Sequence, residues 1–326
     1  MQTELPVPIS PAPSTRSLRP GRRIIDRIAN NAFGLSAALP FLIAVAILVA
    51  LGIRSWPILA DNSILSLLTG EVWKPLKGQF GFLPFIAGTI WVTIVAMFLA
   101  VPPCLLCAIY LAEYAGSNMR AVIKPLLDLL AAIPSVVYGV WGMLVIVPLV
   151  QKYIAPFLSN SLGFLPLFTK TNPTGFSILA GSIVLAVMIA PFIIAITYEV
   201  LGTVPNGQRE AALALGATRW QAIRSAVIPP TIPGISAGIV LGASRALGET
   251  MAVLMVVGNV PQVPKSIFDA AYPLPALLAN NYGEMMSIPL YDAALMASAL
   301  VLVLIVLFFN IISTVVLRRY VRRYRE

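Results

Sequence analysis

The chain has 326 residues, of which 59% are hydrophobic and only 11% charged, and its mean hydropathy is +0.89. A soluble domain carries about a quarter charged residues, so this composition excludes one and predicts an integral membrane protein. The formal charge of +9 raises nucleic acid as a partner, but the bases flank apolar runs, where membrane topology accounts for them, so no nucleic acid is expected. Histidine is absent, which excludes imidazole metal sites and histidine acid–base chemistry.

Residues 1–30 read as a polar, Pro/Ser-rich disordered tail without the apolar run of a cleavable signal. A helix needs about 20 apolar residues to cross a bilayer. Runs at 33–53, 84–112, 125–150, 176–201, 230–258 and 292–317 predict six spans. Residues 31–83 hold the first helix and an extracytoplasmic loop, 84–317 form the core, and 318–326 are a basic C-terminus. Pro102-Pro103 is expected to break or kink the second span, and Pro134 and Pro148 to bend the third.

Cys104 and Cys107 form a CxxC inside the second span. Thiolate chemistry needs a polar, accessible setting, so both read as small apolar fillers and no metal site is expected. In the third span, Ser135 and Tyr138 follow Pro134, where a bend frees backbone groups. Their hydroxyls suit either contact with an oxyanion or capping of that freed backbone. Asp128, four residues after Lys124, and Glu199 are assigned to structure or gating.

After the fourth span, Pro205-Asn206-Gly207 predicts a turn and residues 208–215 a short helix. Gly216 suits a left-handed helix end, and Thr218-x-x-Gln221 a capping box that starts a second helix. The product is a tight elbow. Ala211, Ala212 and Ala214 let another surface come close, and Glu210 favours the helix dipole and can meet a partner's base. A helix resting on lipid headgroups is the alternative.

The fifth span carries Arg245 near its expected centre, with Glu249 four residues on and so on the same helical face. A charge at mid-membrane costs roughly 2.5–3.5 kcal/mol on insertion scales, so it faces protein or water. The arginine fork matches phosphate oxygens, and Glu249 would keep it from holding an anion too tightly. The alternative is a buried structural pair. Gly234, Gly238, Gly242 and Ala246 form a small-residue stripe for close helix packing, with a sister chain's helix expected ahead of an intrachain one.

Lys and Arg are biased to one side: Arg16, Arg19, Arg22, Arg23 and Arg27, then Arg120 and Lys124, then Arg209, Arg219 and Arg224, then the arginines from Arg318 onward. Arg54, Lys74, Lys77, Lys152, Lys170 and Lys265 fall on the other. The positive-inside rule then puts both termini and the 210–229 segment in the cytoplasm.

Glu210-Ala211-Ala212, three residues, Gly216 and a later proline resemble the EAA loop of type I ABC importer permeases. Ala226 and Ile228 depart from the usual isoleucine and leucine but keep a small or apolar character. Lys77-Gly78-Gln79-Phe80-Gly81, Ala132-Ile133-Pro134-Ser135-Val136-Val137-Tyr138-Gly139 and Arg245-Ala246-Leu247-Gly248-Glu249-Thr250-Met251-Ala252-Val253 resemble the phosphate-specific, PstC-type subset. Sister PstA-type chains have Ala-Pro where Met251-Ala252 stands here. The likeness covers roughly residues 75–317.

The resemblance implies an all-α integral membrane fold of six helices with cytoplasmic coupling helices, in a high-affinity phosphate importer. It implies a place in the bacterial inner membrane and that Glu210, Ala211, Ala212 and Gly216 couple to an ATPase, while the charge and hydroxyl chemistry above makes Arg245, Glu249, Ser135 and Tyr138 the candidate lining of the route. The implied partners are a PstA-type permease, a PstB-type ATPase dimer, a PstS-type binding protein and membrane lipid. No G-x-x-x-x-G-K-[ST] occurs, so ATP and Mg belong to the ATPase and this chain is expected to bind no cofactor and to be no enzyme. A molybdate or sulfate permease and an ATP-independent secondary transporter are the alternatives.

Overall fold

The computed structural model describes residues 20–169, 172–283 and 289–323. Residues 1–19 of the expected tail, Lys170 and Arg325 lie outside them. The chain divides into two units, Met1–Ala50 and Leu51–Glu326. The described part of the first unit is helical from Pro20. The expectation of a disordered tail to residue 30 is therefore corrected for residues 20–30.

In chain order the elements are α1 (Pro20–Asp61), α2 (Ile64–Thr69), a hairpin of β1 (Trp73–Lys74) and β2 (Gln79–Phe80), α3 (Leu83–Tyr114) and α4 (Ser117–Ala132). Then follow α5 (Ser135–Leu162), α6 (Ile178–Gly202), α7 (Asn206–Ala214), α8 (Arg219–Leu247), α9 (Met251–Leu254), α10 (Leu274–Asn281) and α11 (Pro289–Arg323). Among the described residues, six helices are long and apolar enough to cross a membrane: α1, α3, α5, α6, α8 and α11. Among the described residues, the two-residue strands and an isolated parallel bridge between Gly258 and Ala271 are the β-structure in an otherwise α-helical fold.

The core is built on small residues at helical spacing. Ala96, Ala100, Cys104 and Ala108 form a buried i, i+4 stripe on α3, which packs along α6. Cys104 fills that stripe, with its Sγ 3.8 Å from the Ala190 carbonyl. Ser182 donates across the same interface to the Val92 carbonyl at 3.0 Å. Outside, Phe98, Leu106, Leu144 and Phe308 are exposed, as helices solvated by lipid require.

Two expectations about proline part ways. Pro102 and Pro103 lie inside α3 without breaking it. Pro134 does end a helix: α4 stops at Ala132 and α5 begins at Ser135. The third span is thus 135–162 rather than 125–150, with α4 as a separate amphipathic helix before it. Pro148 is accommodated within α5 between π-helical turns at Gly142–Ile146 and Val150–Ile154. Such turns absorb the hydrogen bond that proline cannot make.

The stripe on α8 packs within the chain, against α6, and not on a sister helix as preferred from sequence. A β-carbon on Gly234 would stand 2.6 Å from Val200 Cγ1, one on Gly238 2.8 Å from Ile196 Cγ2, and one on Gly242 2.9 Å from Ile193 Cγ1. Gly238→Val is expected to destabilise the bundle by about 1–3 kcal/mol through overpacking. A lowered thermal unfolding midpoint of the detergent-purified complex would register it, and an unchanged midpoint would refute this close packing.

Candidate functional site

Two interrupted helices meet inside the bundle. The first interruption is the Ile133-Pro134 break between α4 and α5. The second is Gly248-Glu249-Thr250, between α8 and the one-turn helix α9. Glycine is a poor helix former, and the Glu249 carboxylate accepts the Ala252 amide at 3.2 Å, which satisfies a donor that α9 would otherwise leave open. A β-carbon on Gly139 would stand 3.1 Å from Ala252 Cα and 2.8 Å from Met255 Sδ. Only glycine allows that approach, which joins two segments more than a hundred residues apart in sequence.

Arg245 occupies the last turn of α8, not the centre of a span reaching residue 258. The expected ion pair with Glu249 is absent, because Glu249 has left the helix and turned to α9. The Arg245 guanidinium instead lies 5.6 Å from the Phe192 ring centroid. At about 1.5 Å per residue, Phe192 is roughly 21 Å into a helix roughly 37 Å long, so Arg245 does stand near mid-bundle. It is exposed in the single chain. A charge at that depth must face water or protein.

Tyr138 is buried and donates its hydroxyl to the Leu130 carbonyl at 2.8 Å, capping the end of α4. Of the two roles weighed for it, backbone capping is visible. Ser135 is half-buried at the first turn of α5, on the same break. The breaks thus gather Tyr138, Arg245 and Glu249 around one junction, with Ser135 at its edge.

At the other functional segment, α7 closes in a Schellman motif. The Gly216 amide bonds the Leu213 carbonyl at 2.9 Å and the Ala217 amide bonds the Ala212 carbonyl at 3.2 Å. Gly216 has φ +85°, in the left-handed region where a side chain is strained. Thr218 and Gln221 form the capping box that starts α8. Glu210, Ala211 and Gly216 are exposed and Ala212 is half-buried. Leu213, Leu215 and Trp220 add exposed apolar surface beside them. No atom lies near a β-carbon at Gly216, so the cost of Gly216→Val is backbone strain alone, about 1–3 kcal/mol. Amide hydrogen exchange across 206–222 should accelerate in Gly216→Val and change less in Gly216→Asn, since asparagine tolerates this conformation. Equal effects would point away from strain.

Sequence reading missed what holds this elbow. Arg209 on α7 grips Glu113, 96 residues earlier, at the π-helical end of α3. Its Nη2 lies 2.7 Å from Glu113 Oε1 and its Nε 3.1 Å from both carboxylate oxygens. Arg209 also donates to the Val204 and Leu201 carbonyls. The side chains are 20% and 7% exposed. An acid flanked by apolar residues at a span end was the available signal for Glu113, but nothing local names its partner. Asp128 and Glu199 line a small cavity with Arg120 and Lys124, and no Asp128–Lys124 ion pair forms among the described residues.

Residues 104–326 match the family described as "Binding-protein-dependent transport system inner membrane component". The phosphate transport system permease protein PstC of Haemophilus influenzae is 36% identical over 298 residues, covering 90% of this chain and 94% of that protein. The protein of the same name from Xylella fastidiosa is 38% identical over 254 residues, covering 77% and 78%. Among solved structures, a bacterial ABC transporter involved in import of the acidic polysaccharide alginate superposes with a TM-score of 0.54 at 18% identity, over 90% of this chain and 98% of that one. That likeness establishes the type I ABC importer permease fold. The chain is a multi-pass inner membrane protein that belongs to the family of binding-protein-dependent transport system inner membrane components.

Proposed function

We propose that this chain is one permease subunit of an ATP-driven inorganic phosphate importer, with its core at residues 84–317. The observation that carries the reading is the exposed Arg245 fork at mid-bundle, beside the junction of two interrupted helices. Interrupted helices at mid-membrane are where transporters place anion contacts. The printed names of the relatives supply the substrate class. Both termini and the α7–α8 elbow face the cytoplasm, as the distribution of Lys and Arg requires.

In this reading Arg245 meets the anion transiently, Ser135 and Tyr138 offer hydroxyls, and Glu249 sets the shape of the junction. Glu210, Ala211, Ala212 and Gly216 dock on a cytoplasmic ATPase dimer of PstB type. A PstA-type permease completes the passage, and a PstS-type binding protein delivers phosphate from outside. ATP and Mg bind the ATPase, whose closure moves α7 and opens the route outward. This chain makes and breaks no bonds.

The test is labelled phosphate uptake by proteoliposomes holding all four kinds of subunit. Uptake requiring both ATP and the binding protein, and not competed by sulfate or molybdate, is expected. Uptake without ATP would favour a secondary transporter, and competition would reassign the oxyanion.

A further inference from the structure

Behind the α7–α8 elbow lies a cavity of about 330 Å³ between the end of α3, the start of α4, α7 and the first turns of α8. Its charged lining is Glu113, Arg120, Arg209 and Arg219, with Asn206 beside them. Both oxygens of Glu113 are held by Arg209, so that pair is neutral. Arg120 and Arg219 form no ion pair among the described residues, and Arg120 also borders the smaller cavity that Asp128 and Glu199 line. The Arg120 Nε is buried without a hydrogen-bond partner, while its Nη2 is anchored on the Ala112 carbonyl at 2.8 Å. Arg219 is held with its guanidinium carbon 5.1 Å from the Tyr114 ring centroid, and Tyr114 is itself stacked on Tyr110.

An orphaned guanidinium N–H is costly, and two guanidinium groups lining one polar cavity suit an oxyanion with several acceptors. We infer that this cavity binds a phosphate-type group, either free inorganic phosphate or the phosphate of an anionic lipid headgroup. Basic pockets between helices on the cytoplasmic side take such headgroups. The ligand would tie α4 to α8 across the Arg209–Glu113 pair, and so stiffen the docking elbow. The inference concerns a site separate from Arg245 and holds whatever anion is transported.

The experiment uses the assembled permease–ATPase complex carrying Arg245→Gln, which removes the fork at the helix junction. Thermal unfolding and labelled-phosphate binding are measured in nanodiscs of phosphatidylcholine, with and without inorganic phosphate, and in nanodiscs containing phosphatidylglycerol without it. Stabilisation by phosphate in phosphatidylcholine would identify the free anion. Stabilisation by phosphatidylglycerol alone would identify the headgroup. In either case adding Arg120→Gln with Arg219→Gln should weaken the response at least tenfold, the loss expected for charge-assisted bonds. Arg219→Gln alone, at an exposed position, gives the same test at smaller amplitude should the double variant fail to assemble. No response to either probe, or an undiminished response in the variants, would overturn the inference.

Discussion

Arg209→Ala is expected to destabilise the chain by about 3–5 kcal/mol, because it strands the buried Glu113 carboxylate without its partner. The loss should extend beyond stability. Arg209 also holds the Val204 and Leu201 carbonyls, so its removal frees α7 from the end of α3, and α7 carries Glu210, Ala211 and Ala212. ATP hydrolysis by the reconstituted complex should then lose its dependence on the binding protein. Glu113→Ala should do the same from the other side. The paired variant Arg209→Met with Glu113→Leu separates the two effects, since apolar replacement of a buried pair is often neutral for stability. It should recover most of the unfolding midpoint while coupling stays impaired. Full coupling in Arg209→Ala would remove the tether from the mechanism.

Arg245→Ala is expected to lower phosphate uptake roughly 10- to 150-fold, the range for losing hydrogen bonds to a charged group, with ATPase stimulation largely kept. Arg245→Lys keeps the charge but loses the planar fork. Uptake by the lysine variant should fall well below wild type and stay above alanine. Equal uptake by arginine and lysine would assign Arg245 a role as a point charge. Full uptake by the alanine variant would exclude it from the route.

What sequence made legible follows from range. Six apolar runs announce six spans because a bilayer imposes its thickness locally. The Gly216 helix end and the Thr218 capping box were equally local and were readable in a few residues, whereas Pro134 read as a bend within a span and not as the helix break it makes. The break after Leu247 was not readable. Gly248-Glu249-Thr250 sits in an apolar window that averages to a continuous span, and the fifth helix was drawn past its true end at Leu247 to residue 258. That one error produced the expected Arg245–Glu249 pair, which needed unbroken helix between them. The depth assigned to Arg245 survived for a different reason: its level is set by Phe192 on a neighbouring helix.

Partners distant in sequence stayed hidden. Gly234, Gly238 and Gly242 advertised a close approach, yet only packing could show that Val200, Ile196 and Ile193 receive them. Glu113 and Arg209 each looked ordinary, one at a span end and one in a basic loop. Their bond depends on α3 and α7 coming together at one end of the bundle, and the resemblance to a permease family does not specify it.

The most direct measurement is thiol labelling of Arg245→Cys, in a chain with Cys104 and Cys107 replaced by alanine, by a charged, membrane-impermeant reagent in the assembled complex. Reaction that is slowed by phosphate and altered by ATP is predicted, because position 245 would face a water-filled anion route. An unreactive cysteine, or one whose reaction ignores both phosphate and ATP, would contradict it.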